Sequence, residues 1–313
     1  MSELTIAGRR IADDEPCYVV AEIGHNHGGS VATAQRMIQV AAECGVSAVK
    51  FQKRDNQTLY TPALLDKPYE NEHSFGRTYG QHRQALEFGL SQYRACQATA
   101  HDCQVDCFAT AFDEPSADFL LELGVPAIKI ASGGLTDIPL LRHVSSCGVP
   151  IILSTGGGDA HDIDAAVRTV TAQTDQLAIL HCTAAYPVRD YAELNLCCIV
   201  TLRERYPEFI IGWSGHVSGI AMSLVAYALG ARMLEHHFTL DRTSKGTDHA
   251  FSLEPVGLKK LIRDLERSRL ALGDGIKRFY PSEVAPISKM RRWWINGRWQ
   301  IGTPDEQQPK AHA

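Results

Sequence analysis

No stretch of this sequence approaches the roughly 18 consecutive apolar residues of a membrane helix, which excludes a helical membrane protein. The opening MSELTIAGRRIADDEPCYVV has an arginine pair, but acidic residues follow where a secretory signal needs an apolar run. A soluble, cytoplasmic protein is therefore expected. The nine cysteines are odd in number and contain no C-x-x-C pair, so they form neither a disulfide framework nor a zinc ribbon. Even Cys103 and Cys107, close together around a predicted strand, have no matching second pair. They are expected to be small buried hydrophobes. A basic stripe interleaved with aromatics is missing before the C-terminal tail, and the formal net charge is −5. No nucleic-acid partner is expected.

What is there suits one large soluble domain. The chain has 313 residues, 44% hydrophobic and 21% charged; a single α/β barrel commonly needs about 250. Short β-branched or apolar runs alternate with helix-length segments, the pattern of parallel strands joined by crossover helices. Eight strands are predicted, at 17–24, 46–52, 104–110, 126–132, 150–156, 177–183, 209–215 and 231–238. Each is followed by a helical stretch, and Gly45, Gly124, Gly148 and Gly230 are placed to close four of these. Eight units favour a closed (β/α)8 TIM barrel over an open sheet. So do the polar residues: Glu22, Lys50, Gln52, Thr110, Lys129, Ser132, Ser154, His181, Ser214, His216 and His237 all fall at or just past the C-terminal ends of strands. Barrel active sites are built there, whereas an open sheet gathers ligands at its switch point. The expected organisation is a catalytic barrel over 1–280 and a short tail over 281–313.

Residues two apart on a strand share a face. Of the adjacent His236 and His237, only one can therefore face the barrel axis, and parity does not choose. If the seventh and eighth strands are neighbours, His216 and one of this pair could hold a divalent cation with open positions for substrate. Lys50 and Lys129 interrupt apolar strands and need either a buried acidic partner (Glu22, Glu235 or Asp106) or an anionic ligand. Ser132, Ser154 and Ser214 precede or sit within glycine-bearing turns that suit phosphate or carboxylate oxygens. Glu22 could act as a general acid or base, or pair with a lysine. His25 and His27 flank Asn26 in the next loop; substrate binding, or capping of the glycine turn by His27, is expected. Together these point to a small, highly anionic substrate.

The stretches AEIGHNHGG, AVKFQ, FATAFDEPSADFL, AIKIASG, ILSTG, HCTAAYP, IGWSGH, EHHFT and KGTDHAFSLEP resemble the sialic acid synthases, phosphoenolpyruvate-dependent sugar-acid synthases that include N-acetylneuraminate, legionaminate and pseudaminate synthases. The resemblance spans about residues 15 to 292. It implies a transferase that condenses phosphoenolpyruvate with an aldose, giving a 2-keto-3-deoxy sugar acid and phosphate by C–O cleavage. It implies His216 and His237 as ligands of Mn²⁺ or Mg²⁺, and Glu22 as the essential carboxylate near the metal. By the same resemblance Lys50, Lys129, Ser132, Ser154 and Ser214 grip phosphoenolpyruvate, with both lysines catalytic, while Gln52, Tyr186 and Asp248 contact the acceptor sugar.

Two departures stand out. Ala184 occupies a position where the family carries asparagine or a small hydroxylated residue, so one contact is expected to be missing. The family also continues into an antifreeze-like cap domain that delivers an arginine across a dimer; here the chain reads PISKMRRWWINGRWQIGTPDEQQPKAHA instead. An acceptor other than N-acetylmannosamine is the corresponding expectation. The tail, with three Trp and three Arg in 291–299, is expected to pack on the barrel rather than act as a lid. A homodimer held by barrel faces is the assembly to expect. The segment 53–90 is long for a strand-to-helix connection and is expected to cover the pocket and to influence acceptor choice. Two other readings compete: a divalent-metal barrel performing aldol cleavage or hydrolysis, and a non-catalytic barrel serving as a scaffold.

Overall fold

The computed structural model describes residues 2–301. It falls into two compact units, the first ending at Ala271 and the second beginning at Leu272. In the first, a hairpin of β1 (Glu3–Ile6) and β2 (Arg9–Ala12) precedes eight barrel strands. These are β3 (Tyr18–Gly24), β4 (Ala48–Lys53), β5 (Asp106–Ala111), β6 (Ile128–Ile130), β7 (Ile151–Ser154), β8 (Leu177–Cys182), β9 (Ile210–Gly215) and β10 (Met233–His237). All eight fall on the stretches expected from sequence, with β4 and β5 each running one residue past the expected end, to Lys53 and Ala111. They pair in parallel and in chain order, and β10 pairs with β3 to close the barrel.

The crossover helices are α1 (Val31–Cys44), α5 (Leu90–Asp102), α6 (Glu114–Leu123), α7 (Ile138–Ser145), α8 (Ala160–Thr171), α9 (Cys198–Arg205), α10 (Ala221–Ala228) and α11 (Pro255–Leu272), with α2 (Asn56–Leu59), α3 (Pro62–Leu65) and α4 (Tyr79–Leu86) inserted after β4. None is long and apolar enough to cross a membrane. Gly45 and Gly124 cap α1 and α6 in the left-handed region, as expected. Gly148 and Gly230 are also left-handed, but the helices before them have already ended at Ser146 and Leu229. Their role is to turn the chain into the next strand.

Barrel strands are buried on both faces, which explains the near-continuous apolar runs of β6 to β9. The interruptions include Lys129, Ser154 and Ser214, which line the cavity described below, and His181, which does not. The N-terminal hairpin, which the strand pattern did not reveal, adds Leu4, Ile6 and Ile11 to the core. Its Arg9 lies 3.6 Å from Asp106, the first residue of β5, whose carboxylate also accepts from Tyr18 at 2.7 Å. The hairpin therefore closes the N-terminal end of the barrel. Asp106 is engaged at that end, which removes it as a partner for the lysines.

Asp13, just past β2, accepts from Arg203 at 2.9 and 3.0 Å and lies 3.0 Å from Arg232. The Arg203 hydrogen bonds hold its carboxyl below the ordinary value. A depressed pKa contributes stability above the unfolded carboxylate value, about 3.9, and loses it as pH falls through the folded value. Asp13→Asn is expected to cost about 1 kcal/mol at pH 7, discounted for partial exposure, and almost nothing near pH 2. Denaturant melts at the two pH values measure this; an equal loss at both would mean that packing, not charge, holds the hairpin.

The second unit contains α12 (Val284–Met290) and a hairpin of β11 (Arg292–Ile295) and β12 (Arg298–Ile301). Asn296 and Gly297, both at positive φ, form its two-residue turn, and Trp294 pairs with Trp299 across it. Residues 302–313 of the expected tail lie outside the described residues.

Candidate active site

At the C-terminal end of the strands is a cavity of about 310 Å³. Every residue to which the family resemblance gives a role lines it: Glu22, Lys50, Gln52, Lys129, Ser132, Ser154, Tyr186, Ser214, His216, His237 and Asp248. The strand register explains much of this. His237 is aligned with Glu22, and Glu22 with Lys50, across three adjacent strands. A register shift between Glu22 and Gly24 bends β3 at this point. Gly24 is at φ +52°, and a Cβ there would lie 3.0 Å from Glu22 Oε1 and 3.2 Å from Gln52 Nε2. A Cβ at position 24 would crowd this carboxylate and amide, and the positive φ itself disfavours a side chain there.

The floor is a charge cluster. Lys50 and Lys129 are each 2% exposed. Lys50 Nζ lies 2.6 Å from Glu22 Oε2 and 3.8 Å from Glu235, and donates to Thr110 at 2.7 Å. Lys129 Nζ donates to Glu235 at 3.2 Å, as does the Ser214 hydroxyl. Both lysines thus have the acidic partners that burial demands, Glu22 and Glu235. Burial raises the Glu235 pKa, but Lys129 and Lys50 outweigh it and hold this carboxylate below its ordinary range. Burial pulls Lys129 down, with Glu235 opposing. Besides Glu22 Oε2, which meets the Lys50 ammonium, three polar atoms around the cavity are buried without a hydrogen-bond partner: Glu235 Oε2, Ser154 Oγ and His237 Nδ1. Unsatisfied polar groups in one cavity point to a ligand that completes them.

The histidine pair stands above this floor. Strands β9 and β10 are neighbours, and the rings of His216 and His237 are 5.4 Å apart between centroids. His216 Nδ1 lies 3.1 Å from the Thr183 carbonyl, which fixes the proton on Nδ1 and leaves the Nε2 lone pair free. Burial, then the charge of His237, pushes the His216 pKa down to about 3, so the ring is neutral. His237 Nδ1 lies 3.7 Å from Asp248 Oδ2, and the Tyr186 ring covers His216 at 4.2 Å. Two neighbouring imidazoles, with His216 Nε2 and His237 Nδ1 free of hydrogen-bond partners, fit a divalent cation. The three-donor grouping Asp159, His161 and Asp162 lies elsewhere, exposed at the N-terminus of α8, where Asp159 caps the helix.

Tertiary structure resolves the histidines that sequence could not. His236 is turned away from the cavity, bonded to Ser223 of α10 at 2.7 Å and set against Trp213. His181, grouped above with the rim residues, does not line the cavity; its Nε2 meets the Leu194 carbonyl at 2.7 Å and anchors a loop. His27 accepts from Gly29 at 3.0 Å and stacks on Phe88, a role in the turn. His25 faces the cavity.

The segment after β4 does cover the site, contributing Arg54, Phe75, His82, Arg83 and Leu86 to the lining. Sequence reasoning missed the two arginines as site residues, because a loop has no periodicity to single them out. Only the length of the insertion signalled them. Ser132 was expected at a strand end but begins a short 3-10 turn, where its hydroxyl accepts from Gly156 N at 3.0 Å.

Comparison with known proteins follows the same lines. The model of the NeuB family matches residues 37–277. N-acetylneuraminate-9-phosphate synthase of Homo sapiens is 39% identical over 283 residues, covering 90% of this chain and 79% of the relative. N,N'-diacetyllegionaminic acid synthase of Legionella pneumophila is 33% identical over 282 residues, covering 88% and 79%. Among solved structures, the N-acetylneuraminic acid (sialic acid) synthetase of Leptospira borgpetersenii, in complex with citrate, superimposes with a TM-score of 0.79 at 34% identity, covering 91% of this chain and 95% of that one.

Proposed function

This chain belongs to the NeuB family and is a phosphoenolpyruvate-dependent sugar-acid synthase, and on that premise we propose how its own residues carry the condensation. The observation that supports the assignment of roles is the convergence of two buried lysines, three serine hydroxyls and two buried imidazoles on one cavity. A scaffold has no use for such an arrangement, and a simple aldolase would not need two lysines at one anion.

Lys50 and Lys129 hold the phosphate and carboxylate of phosphoenolpyruvate, exchanging part of their contact with Glu22 and Glu235 for the ligand's oxygens. Ser132, Ser154 and Ser214 donate to the same oxygens; Ser154 Oγ is buried without a hydrogen-bond partner in the protein. His216 and His237 hold a divalent cation, Mn²⁺ or Mg²⁺. Bound there, such an ion supplies Lewis acidity toward the aldehyde oxygen of the acceptor. Gln52, Tyr186 and Asp248 orient the open-chain sugar so that its aldehyde carbon faces C3 of phosphoenolpyruvate. That carbon–carbon bond forms, water adds at C2, and phosphate leaves with its bridging oxygen by C–O cleavage. Glu22 takes or returns the proton on water or on the aldehyde oxygen, while the lysines stabilise the anionic groups throughout.

The assay is inorganic phosphate released from phosphoenolpyruvate in the presence of a panel of aldoses and Mn²⁺ or Mg²⁺. Release that requires both phosphoenolpyruvate and an aldose is expected; sugar cleavage without it would favour an aldolase or hydrolase, and no turnover a scaffold. His216→Ala and His237→Ala are each expected to weaken Mn²⁺ binding, read by electron paramagnetic resonance, by about 10- to 100-fold or more. Unchanged Mn²⁺ affinity in both would place the metal elsewhere.

A further inference from the structure

The Gln52 side chain is held from both ends. Its Nε2 donates to Glu22 Oε1 at 2.6 Å, and its Oε1 accepts from Arg54 Nη2 at 2.7 Å. A guanidinium has only donors, so the amide must turn its oxygen to Arg54 and its nitrogen to Glu22. Tyr93 fixes the backbone beneath by donating to the Gln52 carbonyl at 2.9 Å.

Arg54 is itself closely packed. It is 7% exposed, and its guanidinium carbon lies 3.7 Å from the centre of the Phe112 ring. Its Nη1 is 3.2 Å from His25 Nε2. Burial, then Arg54 and Arg83, push the His25 pKa well below its ordinary value against the opposing pull of Asp248, so the ring is neutral and this nitrogen can accept. The charge of Arg54 is met locally by Glu87. Oε1 of that carboxylate, buried without a hydrogen-bond partner, stands 4.0 Å from Nη1, and Oε2 accepts from the Arg54 backbone N–H and from Lys53, both at 3.2 Å. Arg54 therefore needs no bound anion to balance it. The donor it sends to Gln52 is the one that leads to the reacting groups.

That donor matters most when phosphoenolpyruvate arrives. Glu22 has Gln52 on Oε1 and Lys50 on Oε2, each at 2.6 Å. Once Lys50 turns part of its contact to the substrate's oxygens, Gln52 is the remaining restraint on the carboxylate. If Glu22 then carries a proton, an amide held at one end only could rotate by half a turn and accept from it, withdrawing the donor. Arg54 blocks that rotation, which would set N–H against N–H.

We propose that Arg54 is a positioning residue: through the Gln52 amide it holds the Glu22 carboxylate in place while Lys50 engages phosphoenolpyruvate. The inference rests on the synthase reading of the cavity. It adds to that reading a side chain that acts through another, on the inserted segment rather than on a barrel strand.

Two measurements test it, and one needs no turnover. In protein made with isotope-labelled glutamine, the side-chain amide signal lost in Gln52→Leu identifies Gln52. One of its amide protons is expected far downfield of the free-amide position and protected from solvent exchange. In Arg54→Met it should move toward the free-amide position and exchange about tenfold faster or more, with Arg54→Lys in between. An unchanged signal overturns the proposal. In the kinetics, Arg54→Met should lower kcat about tenfold, with the KM for phosphoenolpyruvate changed less than about twofold, and Arg54→Lys should recover part of the loss. In a Gln52→Leu background the same change should lower kcat less than about twofold, because residues acting through one chain of contacts are not additive. Equal losses in both backgrounds, an effect on KM alone, or no recovery with lysine would each overturn it. Should Arg54→Met fail to fold, Phe112→Leu removes the ring under the guanidinium and leaves the charge in place. It should lower kcat about two- to fivefold alone and not at all beyond Gln52→Leu, and an equal loss in both again overturns the proposal. Lack of phosphoenolpyruvate-dependent phosphate release with every acceptor would sink the synthase reading, while the amide signal still decides whether Arg54 holds Gln52 on Glu22.

Discussion

Replacing Lys129 with methionine is expected to lower kcat/KM for phosphoenolpyruvate by about 10²- to 10³-fold, the scale of losing one charge-stabilising donor in a water-poor site. The same change removes the cation 3.2 Å from Glu235. It leaves that carboxylate with Lys50 at 3.8 Å and Ser214, so stability should also fall, by about 3 kcal/mol or somewhat more. Two effects of different origin are thus combined in one variant, and a second substitution separates them. Adding Glu235→Gln removes the stranded charge while keeping an acceptor for Ser214. The double variant should regain most of the lost melting temperature and none of the lost activity. If activity returned with stability, Lys129 would be a structural partner of Glu235 and nothing more.

Glu22→Gln is expected to lower kcat by about 10²- to 10⁴-fold, the usual range for a lost general acid or base, with a smaller effect on the KM for phosphoenolpyruvate. The amide is close to isosteric and keeps an oxygen for Gln52, whose Nε2 donates to Glu22 at 2.6 Å. What it removes is the proton-carrying group and the countercharge 2.6 Å from Lys50. These roles predict different kinetics. A lost countercharge would free Lys50 for its anionic substrate and lower KM; a lost proton carrier acts on kcat. Less than about a fivefold fall in kcat, with KM reduced, would leave Glu22 as the counter-ion of Lys50 only.

These two residues also show how far a linear reading reaches. Lysines inside the runs AVKFQ and AIKIAS need partners on physical grounds, and Glu22, Glu235 and Asp106 were equally available in sequence. The choice among them is a matter of height along the barrel. Asp106 is the first residue of its strand and is engaged with Tyr18 and Arg9, whereas Glu22 and Glu235 lie near the opposite end with the lysines. The stretch after the sixth barrel strand, expected to be helical, divides into a 3-10 turn at Tyr191–Leu194 and α9, with Asn195 left-handed at φ 38° between them. Local pattern gave no notice of that break.

Periodicity and residue chemistry alone determined the eight strands, the barrel end that carries the polar residues, and the need of two buried lysines for negative partners, because burial of both strand faces and the cost of an isolated charge are local properties. Tertiary structure decided what depends on distance between remote segments. It turned His237 rather than His236 toward His216, withdrew His181 to anchor a loop, assigned Glu22 and Glu235 to the lysines, and brought Arg54 and Arg83 onto the two sides of His25. Strand parity limits which neighbours share a face, but only closure of the sheet and the path of the inserted segment determine which side chains meet.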